Sequence, residues 1–398
     1  MLKKGVSFFI YLFSSVVFAT APFVSFSVDS GMFVKPYYNR SVGQATLFFY
    51  DVTNMGYWYS IKQLSYFNRK SGFYARSFLT GLIMNQSYFL AFSLPYKEFG
   101  HGSRGRAFGV EPRYLVGGSE HLSNTYYDYF GRILGNLETQ VTSSTIKPAM
   151  SDLSVHSSVD TRDFDLIWYA AGVNNQVFLS QMIDDRFYDR QVTSVYDLMG
   201  FFTSKMAISY MDDSYLNQIR LQYLEKGIDM SFSDLKRYNG YSVLGSLTFW
   251  AFIDGWSRYL VSGIDHIQYN EVYNVRLPDV CMYLTSHGPS YRLQSGYKLS
   301  TKTHVPFAIE YVFKGQTQLE YTLGFSKKWS WPVQSYSEIR LGEGLGITQS
   351  FNIDLPHFST LGFGVDYYDF HNLYGERHIP SLKDGNQDLH YWVSFSYR

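Results

Sequence analysis

With 398 residues the chain suffices for one large domain or two ordinary ones, and its 34 basic residues balance 34 acidic ones, so no basic surface points to nucleic acid. Aromatic residues make up 19% and charged residues 17%, the latter below the roughly 25% of an average soluble protein; 36 tyrosines, each with an apolar ring and a polar tip, suit a boundary between water and hydrocarbon. The single cysteine, Cys281, excludes an internal disulfide and a cysteine-rich zinc site.

Residues 1–19 read as an export signal: Lys3 and Lys4 open a basic start, an apolar run follows, and Val17-Phe18-Ala19 fits a small-residue cleavage site. The alternative is an uncleaved anchor, because residues 5–28 carry no charge and are long enough to span a bilayer. Residues 20–61 are expected to be N-terminal strands. Val24, Phe26 and Val28 alternate with Ser25, Ser27 and Asp29, and "ATLFFYDVTNMGYWYSI" (45–61) is a second strand candidate.

Residues 62–270 form a helix-rich middle region. Three stretches, 77–96, 166–183 and 238–253, are uncharged and place Leu82, Ile83, Leu90, Leu166, Ile167, Val173, Leu244 and Phe249 at helical spacing. Each also carries Asn, Gln, Ser or Gly, which suits buried helices of a folded domain; the alternative is three transmembrane helices of a polytopic inner-membrane protein. Asn174 and Asn175 are expected to hydrogen-bond within the fold. Asp254, Asp265 and His266 flank an apolar segment and are candidate buried partners.

The stretch "LPYKEFGHGSRGRAFG" (94–109) resembles the HExxH motif of zinc metalloproteases at Glu98 and His101, with Lys97 in place of the first histidine. That resemblance implies Glu98 as general base, His101 as a metal ligand and zinc as cofactor, with Glu120 (and His121 or His266) available as further ligands. Lys97 argues against an intact site, since an ammonium has no free lone pair and repels a cation. Gly100 and Gly102 also weaken the helix that the spacing needs. Gly100, Gly102 and Gly105 match a dinucleotide fingerprint formally, but a helical stretch precedes them where that motif needs a strand. A third reading is a Gly-rich loop whose Lys97, Arg104 and Arg106 hold an anion such as phosphate, against the plainer one of a solvated basic loop.

In "GGSEHLSN", His121 and Ser123 would share a face of a strand, which sets a base beside a hydroxyl. The four letters from His121 to Asn124 resemble the short motif of outer-membrane acyl hydrolases, phospholipase A and the lipid A 3-O-deacylase. The resemblance implies His121 as base and Ser123 as nucleophile. The residues that follow favour a plainer role, because Tyr126, Phe130, Ile133, Leu134 and Leu137 lie at helical spacing and make Ser123 or Asn124 an N-cap.

Residues 271–398 alternate with period two. Phe307-Ile309-Tyr311-Phe313, Leu319-Tyr321-Leu323-Phe325, Phe351-Ile353-Leu355, Phe363-Val365-Tyr367 and Tyr391-Val393-Phe395-Tyr397 each present one apolar face opposite Gly, Ser, Thr, Asp and Glu. Glu310 and Glu320 sit on the polar faces, and His357, His371, His378 and His390 are scattered near strand ends. The closing strand "LHYWVSFSYR" resembles the C-terminal strand of bacterial outer-membrane β-barrel proteins, with Arg398 after the aromatic Tyr397 as a departure. The resemblance implies lipid-facing apolar side chains and a polar lumen. Residues 292–398 hold only six or seven strands, short of the usual minimum of about eight. The first and last segments are therefore expected to pair, with the middle as an insertion.

The expected fold is thus an α+β membrane protein: an antiparallel β-barrel or barrel-like sheet from N- and C-terminal strands, with a helix-rich middle insertion. The expected role is an exported, non-catalytic or channel-like protein of the Gram-negative outer membrane, with membrane lipid as partner. The alternatives are an envelope hydrolase (acyl or decayed zincin-like) and a polytopic inner-membrane protein.

Overall fold

A computed structural model describes residues 26–29, 39–63, 72–107, 112–116, 119–121, 147–150, 161–269, 273–330, 332–356, 359–369, 373, 376 and 388–397. The elements run β1 (Phe26–Asp29), α1 (Asn39–Gln63), α2 (Phe73–Phe78), α3 (Asn85–Tyr88), α4 (Leu94–Ala107), β2 (Pro112–Val116), β3 (Ser119–His121), β4 (Lys147–Met150), α5 (Thr161–Arg190) and β5 (Val192–Ser194). They continue through α6 (Val195–Lys205), α7 (Ala207–Tyr210), α8 (Asp213–Glu225), α9 (Phe232–Leu244), α10 (Leu247–Ser262), β6 (His266–Gln268) and β7 (Asp279–Thr285). The last third holds β8 (Gly288–Ser300), β9 (Thr303–Val312), β10 (Leu319–Lys328), β11 (Val333–Leu341), β12 (Leu345–Leu355), β13 (Ser359–Tyr368) and β14 (Asp388–Tyr397). Two π-helical segments, Leu79–Met84 and Phe89–Ser93, join α2, α3 and α4 into one continuous run. The predicted export signal, residues 1–19, lies outside the described residues, as does the helix expected at 126–137.

Nine strands form one antiparallel sheet in the order β1-β14-β13-β12-β11-β10-β9-β8-β7. The expected pairing of the chain's two ends is present: Phe26 lies opposite Tyr397 and Asp29 opposite Ser394. Among the described residues no pairing joins β7 to β1, so the architecture is a large sheet with helices, and a closed barrel is not found. The turns are tight. Gly288 starts β8 at φ +136°, and a Cβ there would lie 1.9 Å from the Lys314 carbonyl oxygen, so only glycine fits.

The sheet is inverted relative to a water-soluble sandwich. Tyr321 (51% exposed), Leu323 (55%) and Tyr391 (69%) lie on its outer face, together with Phe307, Ile309, Phe325, Ile347, Phe363, Val393 and Phe395. On the opposite face Glu310, Glu320 and Asp366 are fully buried, and Arg292, Thr322, Arg340, Thr348 and Ser350 are nearly so. Glu310 and Glu320 are direct cross-strand partners, and Arg292 lies opposite Glu310 on β8.

The inner side is covered by helices. One apolar core joins α1, α3, α4, α5, α6 and α10 through Leu47, Tyr88, Phe99, Phe178, Leu198 and Phe252; a second joins α5 and α7–α9 to β7 through Val173, Ile208, Ile219, Leu235 and Met282. Ser194 and Ser231 start α6 and α9 with capping boxes to Asp197 and Asp234. Fully buried Arg76 donates to the carbonyls of Leu260 (2.6 Å) and Val261 (3.3 Å), satisfying the end of α10.

Several expectations change. The second strand candidate, 45–61, is part of α1: Leu47, Tyr50, Asn54, Trp58 and Ile61 are buried along one side, a helical spacing that the aromatic run disguises. The 238–253 stretch is two helices broken at Gly245-Ser246. Asp254 is on the surface beside Arg258 (2.8 Å) and His266 is exposed, so neither is a buried partner. No helix among the described residues is long and apolar enough to cross a membrane.

Candidate functional site

Helix α5 buries an unusual series of polar groups: Asn174, Asn175, Gln176, Ser180, Gln181 and Asp184. Each has a partner that explains its burial. Asn174 behaves as a surrogate strand residue at the β7 edge: its Nδ2 donates to the Leu284 carbonyl (2.8 Å), and the Leu284 N–H donates back to its Oδ1 (2.9 Å). Asn175 donates to the Tyr96 carbonyl and Gln176 to Ser93, which ties α5 to the run ending in α4. The Tyr283 hydroxyl donates to Gln181 (2.7 Å), and Gln294 donates to Asp184 (3.3 Å).

Between α5 and the polar face of β8–β12 lies a chamber of about 310 Å³, room for on the order of ten waters. Its wall sets Arg186, Arg276, Arg292 and Arg340 among Asp185, Asp189 and Glu338, with Gln, Asn, Ser and Thr between them. The guanidinium groups are held by protein partners. Arg276 bridges Asp184 and Asp185 (2.6 Å to the latter) and lies over the Tyr188 ring. Arg340 pairs with Glu338 and donates to the Tyr368 hydroxyl (2.9 Å). Arg292 donates to Thr322 (3.2 Å), and Arg186 pairs with Asp51. Interleaved, mutually neutralised charges suit holding water or small polar solutes.

The zincin-like stretch is the helix α4 that the HExxH spacing needs, not a Gly-rich loop, and Gly100 and Gly105 serve close helix packing. A Cβ on Gly100 would lie 2.8 Å from the Ala171 carbonyl oxygen, and one on Gly105 would lie 2.7 Å from Trp168. His101 is buried, with Nδ1 2.8 Å from the Trp168 carbonyl and Nε2 3.2 Å from the Tyr215 hydroxyl. A carbonyl only accepts, so Nδ1 carries the proton of the neutral ring. Burial, reinforced by the Lys97 charge, lowers its pKa to about 3.

Lys97 pairs with Glu98 (3.2 Å) and lies 4.5 Å from the centre of the Tyr215 ring. Arg104 is buried and donates to the Glu376 carbonyl, which places it inside the protein rather than on an anion-binding loop. The side chains of Arg106, Glu120 and His121 lie outside the described residues; so does Ser123, while His121 ends β3. Among the described residues no group of three or more His, Cys, Asp or Glu is placed to hold a metal ion.

A second buried cluster was not anticipated. Lys205 donates to Asp279 (2.7 and 2.9 Å) and to the Cys281 sulfur (3.1 Å), and Ser246 also donates to Asp279, all fully or almost fully buried. It links α6, the start of α10 and β7. No protein-family model, no curated protein and no solved structure matches the chain.

Proposed function

We propose that the outer face of the sheet lies against acyl chains, and that the protein is an exported, non-catalytic component of the Gram-negative outer membrane whose polar chamber acts as a lumen. The inverted sheet carries this reading: carboxylates and guanidinium groups inside, leucines and aromatics outside. Strands β9 to β14 have 10, 10, 9, 11, 10 and 10 residues, the roughly 9–11 that cross a hydrocarbon core when tilted. At about 4.8 Å per strand and 3.3 Å per residue, six such strands span a face roughly 29 Å wide and 33 Å long. One backbone pair at the β7 edge, the N–H and carbonyl of Leu284, is satisfied by Asn174 of α5, as backbone groups withdrawn from water must be. The basic-apolar start of the chain supports export.

The test is fractionation of the expressed chain. Recovery in outer-membrane density fractions after an alkaline carbonate wash is expected. A chain that stays monodisperse in detergent-free buffer overturns the reading.

A further inference from the structure

The uncharged stretch 238–253 neither spans a membrane nor lies wholly inside the protein. It forms an elbow: α9 runs in, the chain breaks at Gly245-Ser246, and α10 runs out. The apex exposes Tyr241 (56%), Leu244 (54%), Leu247 (42%) and Trp250 (49%). Charges return only beyond it, at exposed Arg237 on one arm and exposed Asp254 and Arg258 on the other.

The elbow is continuous with the outer face of the sheet. Tyr291 on β8 stacks on Phe313 at 4.4 Å; Tyr238 on α9 meets Phe313 at 5.0 Å, and its carbonyl accepts from the Tyr291 hydroxyl at 2.9 Å. A Cβ on Gly245 would lie 3.3 Å from Val280. Val280 pairs with Leu293, which pairs with Ile309, so the elbow joins the sheet within its apolar band rather than beyond it.

The apex is also unusually well bonded for an exposed turn. The N–H groups of Gly245, Ser246 and Leu247 donate to Tyr241, Val243 and Pro278, and the Trp250 indole donates to the Leu244 carbonyl at 2.9 Å. In water these groups could be left to solvent; in hydrocarbon they must be satisfied internally. Each arm has about seven residues between its flanking charge and the break, roughly 10 Å of helix. That matches the roughly 5–10 Å to which an interfacial helix buries its apolar face.

We infer that the α9–α10 elbow is a second lipid contact, dipping Tyr241, Leu244, Leu247 and Trp250 into the acyl boundary of the bilayer that the sheet crosses. This rests on the proposed membrane placement of the sheet. The test attaches a nitroxide to Leu244→Cys in the full chain reconstituted in phosphatidylethanolamine/phosphatidylglycerol vesicles. Leu323→Cys on the sheet face and Glu225→Cys on exposed α8 serve as references. The unsubstituted chain, whose Cys281 is buried, gives the background. The ratio of oxygen to nickel-chelate collisions at Leu244 is expected to match Leu323 and exceed Glu225 severalfold. If Leu323 favours oxygen while Leu244 follows Glu225, the elbow lies in water and the inference falls alone. If neither reagent reaches Leu244, or its spectrum shows dipolar broadening, a protein surface covers the elbow and the inference falls. If Leu323 itself follows Glu225, the membrane placement of the sheet falls, and the inference falls with it.

Discussion

The edge of β7 ends against a helix instead of another strand. Replacing Asn174 by Ala removes both partners of Leu284 at once, the acceptor of its N–H and the donor to its carbonyl. The site is closed to solvent on both sides, since Leu284 is fully buried and Asn174 nearly so. Each orphaned buried group costs about 1–3 kcal/mol, so Asn174→Ala should destabilise the fold by roughly 2–5 kcal/mol. Asn175→Ala, which loses one bond to the Tyr96 carbonyl, should cost only about 1 kcal/mol. Asn174→Asp retains the acceptor but turns a carboxylate oxygen toward the Leu284 carbonyl, and should be no better than Ala. Urea unfolding in detergent micelles gives the energies, and hydrogen exchange at the Leu284 amide locates them. An Asn174→Ala chain within about 0.5 kcal/mol of the parent, with unchanged Leu284 exchange, refutes the idea that a side-chain amide terminates this sheet.

Lys205→Met leaves Asp279 buried without its ammonium partner and should cost about 3–5 kcal/mol, whereas Lys205→Met with Asp279→Leu should recover most of that loss, both read by urea midpoints. Gly100→Ala drives a methyl against the Ala171 carbonyl and should destabilise by about 1–3 kcal/mol. Gly240→Ala, on open space within α9, should stabilise by about 0.5–1 kcal/mol. His101 stays neutral in the fold down to about pH 3, while the unfolded ring takes a proton near pH 6.5. Between those values the unfolded state holds more protons, so this group's contribution to stability falls as pH falls, by at most about 1.4 kcal/mol per pH unit. His101→Gln removes that share, and the stability difference between parent and variant should shift in the variant's favour as pH is lowered through this window.

The strands of the last third were legible because one face is apolar and the other polar; Phe307 to Phe313 and Tyr391 to Tyr397 announce their period directly. β7 was not, because Cys281, Met282, Tyr283 and Leu284 are all buried and the alternation disappears when both faces are covered. In 45–61 aromatic residues with strand propensity masked a helical stripe, and burial against α5 and α6 decided the outcome. Gly100 reads as a helix breaker because its use is tertiary: with Gly105 it lets α5 approach α4. The expectation that Asn174 and Asn175 bond within the fold holds. The chamber was invisible as a unit, since it joins polar residues of five strands to two helices, α1 and α5, and only the fold brings them together. The Asn, Gln and Ser residues of 166–183 were a signal of buried polar contacts, but of these only Gln181 lines the chamber; Asn174, Asn175 and Gln176 tie α5 to β7 and to the run ending in α4.

The seam between β1 and β14 couples two segments that lie far apart along the chain. Phe26 is made long before its partner Tyr397. No nascent fragment that stops short of β14 can complete the sheet, so closing this seam has to wait until β14 has been made. Loss of β14 would strip two strands of a neighbour at once, β1 and β13. The seam thereby makes β1 dependent on the far end of the sheet.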